Sequence, residues 1–334
     1  MKAVGFKKSL SIGEDESLID FELPDPEPRP LDLVVEVKAV SVNPVDTKMR
    51  MGGVSAGETK ILGFDAAGVV RSVGKETTLF RPGDEVFYAG SNIRPGTNAQ
   101  LHAVDERIVG RKPESLSFVQ AAALPLTSIT AWELLFDRFR IPRNVASGSL
   151  LVIGGAGGVG SIMIQLARQL TGLTVVATAS RPETIKWCKE LGAHYTINHT
   201  KSLVEELRSI GIPEVSYVAS LTQTAKHYPS VPDIIAPQGA FGLIDAPRDL
   251  DILPLRRKCI SAHWEGMFTR STFTTPDILE QHKLLNEVSA LVDVGTLRTT
   301  MTQNFGTINA ANLKKAHALV ESGKAIGKVV LEGF

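Results

Sequence analysis

Two cysteines, Cys188 and Cys259, are all that 334 residues hold. They make no disulfide framework and no Cys-x-x-Cys pair, which excludes a disulfide-stapled secreted scaffold and the common zinc motifs, and fits a reducing cytosol. Excess charge of either sign is also missing: 36 basic residues stand against 36 acidic ones, with no run of like charge. The electrostatic footprint of a nucleic-acid or anionic-lipid binder is therefore absent, and neither nucleic acid nor membrane is expected as a partner. Met1–Leu10 alternates apolar residues with lysines and has no long apolar core, so no signal peptide and a cytoplasmic location are expected. Ser147–Ala167 carries no charge and is long enough to span a bilayer, but its six glycines argue for a buried strand, loop and helix. Internal repeats and low-complexity tracts are lacking too.

What is present is a long chain, 43% apolar, which predicts two compact units with large cores. Its organising stretch is Gly148–Ser161. There an apolar run feeds Gly155, Ala156, Gly157, Gly158, Val159 and Gly160, with Gly155, Gly157 and Gly160 at G-x-G-x-x-G spacing. Val159, Ile162, Met163, Leu166 and Leu170 continue at i, i+3, i+4, i+7 spacing, an amphipathic helix whose N-terminus faces the loop. Unpaired N–H groups and the helix dipole favour a pyrophosphate there, and residues without Cβ let it approach. A second strand, Thr174–Thr178, lies at βαβ distance, and Ser180-Arg181 stands where an acidic residue would select NAD. Hydroxyl plus guanidinium suits the 2′-phosphate of NADPH. Ser180 also reads as a helix cap, with Glu183 completing an S-x-x-E box and Pro182 in the first turn, and both roles can hold together.

Up to about Glu106 the chain reads as β, with Leu33–Asn43 the clearest strand, and a barrel-like domain results. Val35, Val37, Ala39, Ser41 and Asn43 share one face of it, so Asn43 sits where an apolar face gives out into a loop. Strands are also expected over Phe64–Gly74 and Asn98–Val104. Helices follow over Phe118–Ala123 and after Pro125, the latter with Thr127 as cap and Ile129, Trp132, Phe136 and Phe139 on one stripe. Beyond the glycine loop, helix Pro182–Leu191 and strands Tyr195–Asn198, Val215–Ala219, Gly239–Ile244 and Cys259–Trp264 alternate. That pattern predicts an α/β class with a doubly wound parallel sheet. Helices Pro276–Val294 and Ala310–Gly323 with strands Met301–Phe305 and Gly327–Leu331 are expected to rejoin the first domain, giving a division 1–123, 124–268 and 269–334.

Val42–Asp46, Gly63–Gly68, Arg81–Val86, Leu124–Ala131, the glycine loop and Gly327–Gly333 together resemble the medium-chain dehydrogenase/reductase superfamily over nearly the full length. Within it the chain is similar to the zinc-free, quinone-oxidoreductase-like branch. The resemblance implies a GroES-like catalytic domain built from both chain ends, a Rossmann domain, and a homodimer paired through the last Rossmann strand, around Cys259–Trp264. Zinc-using relatives carry a cysteine near Asn43, a histidine after the Gly63 motif and a second cysteine later; this sequence has none of them, so no metal ligand is expected. Its seven histidines are scattered.

Without a metal, hydride transfer needs a substrate that spreads its own charge, such as a quinone, an enone or another activated carbonyl compound, plus a few fixed donors. Asn43 matches the family's cleft asparagine and is the first candidate donor, though its amide could equally cap its own turn. Asp46, Lys48 and Thr127 complete the catalytic candidates. Lys48 stands where many quinone oxidoreductases have a tyrosine and otherwise reads as a solvated lysine. For the adenosine end Lys186, His199, Ser220, Leu221 and Thr222 join Ser180 and Arg181, while Cys188 and Cys259 read as core residues. Loops Met51–Ile61 and Gly90–Asn98 would line the pocket. Two other readings stay open: a zinc-dependent alcohol dehydrogenase, and a non-catalytic NADPH-binding protein of crystallin or RNA-associated type.

Overall fold

A computed structural model describes residues 1–53, 58–144, 147–245 and 247–334. Part of the Met51–Ile61 loop, residues 54–57, lies outside the described residues. The chain divides into one unit of Met1–Ile129 with Phe268–Phe334 and a second of Thr130–Met267.

The second unit is a six-stranded parallel sheet. Its strands run in the order Tyr195–Ile197, Thr174–Thr178, Ser149–Ile153, Val215–Ser220, Ile235–Leu243, Ser261–Trp264. Numbered along the chain this is 3-2-1-4-5-6, the doubly wound order, in which ligands bind beyond the carboxyl ends of the strands where the order reverses. The first strand is central, and all five of its residues are buried. Such continuous burial suits a parallel strand covered on both faces, and explains a run of apolar residues without alternation.

The first unit is β-rich. Strand Asp32–Val42 is its spine and pairs antiparallel with Asp65–Val73, Leu101–Asp105 and Lys328–Glu332. The C-terminal strand thus rejoins the N-terminal domain, with Val329 opposite Val42 and Leu331 opposite Val40. Val35, Val37, Ala39, Ser41 and Asn43 are all buried, as the alternation predicts, and Val34, Val40 and Val42 on the other face are buried as well.

Three local expectations change. Thr127 is no cap: the helix begins at Pro125, and the Thr127 hydroxyl donates to the Leu124 carbonyl at 3.1 Å. The same helix widens into a π-helical turn over Glu133–Arg138, closed by the Phe139 N–H on the Leu134 carbonyl. There the Arg138 guanidinium lies 3.5 Å from Glu133 and 2.9 Å from Glu265, and burial together with the Glu133 carboxylate holds Glu265 above the usual carboxylate range. Cys259 is exposed in a left-handed turn ahead of Ser261–Trp264 rather than inside the strand, whereas Cys188 is buried and its thiol pushed up to about 12. Among the described residues, Phe118–Arg138 alone has the length and apolarity of a membrane span, and 83% of its window lies inside the protein.

Candidate functional site

The glycine loop is shaped by contacts that only glycine satisfies. A Cβ on Gly160 would lie 2.4 Å from the Gly154 carbonyl oxygen, and one on Gly155 would lie 2.8 Å from the Ala177 Cβ and 3.1 Å from the Cys188 Sγ. Those two glycines are therefore demanded by strand–loop–helix packing. Gly157 differs: a Cβ there meets only the Gly154 oxygen, at 3.5 Å, so its other side is open. Gly157 is the N-cap of helix Gly158–Leu170, and the N–H groups of Gly158 and Val159 begin that helix beside Ala156. An open cradle at the start of a 13-residue helix fits a pyrophosphate.

Of the residues proposed for the adenosine end, Leu221 and Thr222 lie against this loop: a Cβ on Gly154 would meet the Thr222 Cγ2 at 3.0 Å and the Leu221 Cβ at 3.6 Å. The Gly154 N–H donates to the Thr178 hydroxyl at 3.0 Å, and the Leu221 N–H to the Ile153 carbonyl at 3.1 Å, which holds Ser220-Leu221-Thr222 against the loop. Ser220 shares a 2.7 Å hydrogen bond with Thr224, itself anchored by Asp245, so the Ser220 hydroxyl is already engaged. Ser180 is half-buried and does not cap the next helix. Pro182 occupies its first position, which makes Arg181 the N-cap, and Thr184, not Glu183, accepts the Arg181 N–H at 3.1 Å. The Arg181 guanidinium lies 3.3 Å from Glu183. Lys186 is exposed and lies 3.7 Å from Glu190, one turn along the helix and apart from the loop residues. His199 is packed edge-on against His227, with ring centroids 6.1 Å apart, and burial holds both below the usual histidine range.

In the first unit Asp46 is hydrogen-bonded to Asn43, and Asn43 in turn to two residues that the sequence does not single out, Asp65 and Lys328. Asp65, fully buried, accepts on one oxygen from Ser41 (2.6 Å), Asn43 Nδ2 (2.8 Å) and Lys328 Nζ (3.0 Å), and on the other from the Leu126 N–H (2.7 Å). Lys328, 3% exposed, also donates to Asn43 Oδ1 and to the Val42 carbonyl at 3.3 Å. Three strand ends meet here: Val42-Asn43 leaving one, Asp65 starting the second, Lys328 starting the third. The Asn43 side chain is thus held between ammonium and carboxylate and does not cap its turn. That bond falls to Asp46, whose carboxylate accepts the Asn43 N–H at 2.7 Å and the Gly63 N–H at 3.0 Å. Lys48 is exposed on the short helix Pro44–Met51 and is not gathered into the cluster. A signal for Lys328 was present: a lysine opening an apolar strand, whose only easy partner is a buried acid.

Burial pushes Asp46 up to about 7, against the pull of its two N–H donors and of Lys328, with the Asp65 charge adding to the rise. A carboxyl raised in the folded state contributes stability that is present below its usual value near 3.8 and is lost as pH rises through about 7. Wild-type stability relative to Asp46→Asn should therefore fall between about pH 4 and pH 7, by up to about 1.4 kcal/mol per pH unit, and level off above that. Thermal melts of both proteins across that range check this, and a gap that grows in favour of wild type with rising pH contradicts it.

Comparison with known proteins agrees with this geometry. Residues 29–114 match the family model of the alcohol dehydrogenase GroES-like domain, and residues 191–331 that of zinc-binding dehydrogenases. The zinc-type alcohol dehydrogenase-like protein of Staphylococcus aureus strain Mu50 is 41% identical over 335 aligned residues, covering 99% of either chain. The chain belongs to the medium-chain dehydrogenase/reductase superfamily. Among solved structures, a Rhizobium etli protein named for zinc-dependent alcohol dehydrogenases is 59% identical, with a TM-score of 0.95 over 100% of this chain and 98% of that one. Escherichia coli quinone oxidoreductase complexed with NADPH is 25% identical, with a TM-score of 0.85 over 99% of this chain and 100% of that one. This medium-chain dehydrogenase/reductase is accordingly an oxidoreductase with a GroES-like domain and a Rossmann-type sheet.

Zinc, which the family model's description implies, does not fit the Asn43 cluster. Zinc takes thiolate, imidazole or carboxylate ligands, and among the described residues no three Cys, His, Asp or Glu side chains converge. The best acceptor in the cluster, Asp65, has both oxygens engaged, and an ion beside it would face the Lys328 ammonium. A nicotinamide dinucleotide does fit, because the glycine cradle leaves the space and the helix start that its pyrophosphate needs.

Proposed function

We propose that this medium-chain dehydrogenase/reductase is an NADPH-dependent reductase of quinones, enones or other activated carbonyl compounds, working without a metal. The observation that carries the reading is the Lys328–Asp65 pair around Asn43: the polar centre of the catalytic domain is filled by protein charge. Bound NADPH supplies the hydride. Gly155, Ala156, Gly157, Gly158 and Val159 hold its pyrophosphate, Ser180 and Arg181 its 2′-phosphate, and Ser220, Leu221 and Thr222 line its ribose. Reduction of a conjugated carbonyl gathers negative charge on an oxygen, and a fixed amide donor such as Asn43 stabilises it as it forms. Positioning of substrate against cofactor supplies much of the remaining acceleration.

A homodimer accompanies this reading, since Ser261–Trp264 is an edge strand and its last residue, Trp264, is 57% exposed; the cytoplasmic location is proposed on the sequence alone. The reading is tested by NADPH oxidation against a panel of quinones, enals and simple ketones, with and without chelator. Turnover of the first two classes, unaffected by chelator, supports it; turnover of simple ketones alone overturns it.

Cofactor choice has its own test. Freed from Glu183, the Arg181 guanidinium reaches a charge-assisted contact with the 2′-phosphate. Arg181→Ala should weaken NADPH by about 1–3 kcal/mol and leave NADH nearly unchanged. Titration calorimetry with both cofactors checks this, and an equal loss for both removes Arg181 from the phosphate site.

A further inference from the structure

Lys328 is an expensive residue where it stands. An ammonium removed from water is tolerated only when its donors are paired, and Lys328 has three acceptors: the Val42 carbonyl at 3.3 Å, Asp65 Oδ2 at 3.0 Å and Asn43 Oδ1. An apolar side chain at the start of this strand would avoid the cost, because the next three residues, Val329, Val330 and Leu331, are buried apolar ones. The pair also fixes something a hydrophobic residue could not. An amide can rotate to exchange its oxygen and nitrogen, and here the ammonium on one side and the carboxylate on the other permit a single orientation, oxygen to Lys328 and nitrogen to Asp65.

We infer that Lys328 is a positioning residue that orients and polarises the Asn43 amide, so that the catalytic domain carries a fixed cation of its own behind the donor. This rests on the reductase reading above. A proton donor on Oδ1 draws electron density toward the oxygen and leaves the Nδ2 hydrogens more positive, so the amide becomes a stronger donor. One of those hydrogens goes to Asp65 at 2.8 Å, and the other is left for an oxygen that gains charge during hydride transfer. Asp65 balances the cation and, through the Leu126 N–H at 2.7 Å, ties it to the first turn of the Pro125–Trp132 helix. Lys328 itself, buried behind Asn43, touches no substrate.

Lys328→Met alone leaves Asp65 buried without its counter-charge, so the test pairs it with Asp65→Asn, which removes both charges at nearly constant volume. Lys328→Met should melt far below wild type, and Lys328→Met/Asp65→Asn should recover most of that loss. In the double variant kcat on the best panel substrate should still be about 10-fold or more below wild type, with the NADPH dissociation constant within about twofold. Adding Asn43→Ala to the double variant should lower kcat no further, although it does so in wild type. The Asn43 side-chain amide resonances, identified by their loss in Asn43→Ala, should move upfield in the double variant relative to Asp65→Asn. Wild-type kcat in the double variant, or unmoved Asn43 resonances, overturns the inference. Should wild type reduce nothing in the panel, the reductase reading falls, while the resonances still decide whether Lys328 polarises Asn43.

Discussion

Asn43→Ala should lower kcat and kcat/KM together, by roughly 10-fold to 10³-fold, with the NADPH dissociation constant little changed. The side chain is buried at 1% exposure and held by Lys328 and Asp65, while its backbone N–H is taken by Asp46. An amide held this firmly loses nothing to reorganisation when charge develops beside it. Truncation also takes one acceptor from the buried ammonium, so a stability loss of about 1–3 kcal/mol should accompany the kinetic one. Steady-state kinetics on protein shown to be folded separate the two effects. Loss of stability with normal turnover would reduce Asn43 to a structural partner of Lys328. Lys48→Ala is the control: an exposed lysine should leave kinetics unchanged, and a large drop in kcat there with Asn43→Ala silent would move the donor to Lys48.

Gly160→Val should be the most damaging single change in the Rossmann unit. Its first side-chain carbon would sit 2.4 Å from one backbone oxygen and 2.6 Å from another, neither of which belongs to a side chain that can swing away. The loop must open or the helix must shift, which costs about 3 kcal/mol or more and removes the cradle that gathers N–H groups around a phosphate. Binding of NADPH should fall more than about 100-fold, with a clear drop in melting temperature. Gly157→Ala provides the contrast, since its Cβ has room at 3.5 Å. That variant should melt close to wild type and lose cofactor affinity only. If Gly160→Val melts and binds normally, the loop is not the rigid element that the packing implies.

Much of this was legible in the sequence, and the reasons differ from place to place. The glycine loop announces itself through spacing, because Gly155 and Gly160 each answer a steric demand and Gly157 between them leaves the cradle open. The spine strand Asp32–Val42 shows as alternation, and the return of the C-terminal strand follows from a parallel sheet already complete without it. The cap of the Pro182–Glu190 helix was misread at Ser180, although Pro182 at the first helical position already makes the preceding residue, Arg181, the cap. The π-helical turn was not legible: the side chains that meet beside it, Glu133, Arg138 and Glu265, are brought together by tertiary packing alone. The Lys328–Asp65 pair was hidden for the same reason, its partners standing 263 positions apart. Local patterns report local demands; a buried ion pair between two chain ends leaves only two charged residues in apolar surroundings.

The claim that the enzyme works without a metal is tested most directly by elemental analysis of the enzyme purified without chelator, with turnover measured on the same sample. The account predicts much less than one zinc per chain and full NADPH-dependent reduction of a quinone or enone. One zinc per chain, with activity that a chelator abolishes and zinc restores, would contradict it.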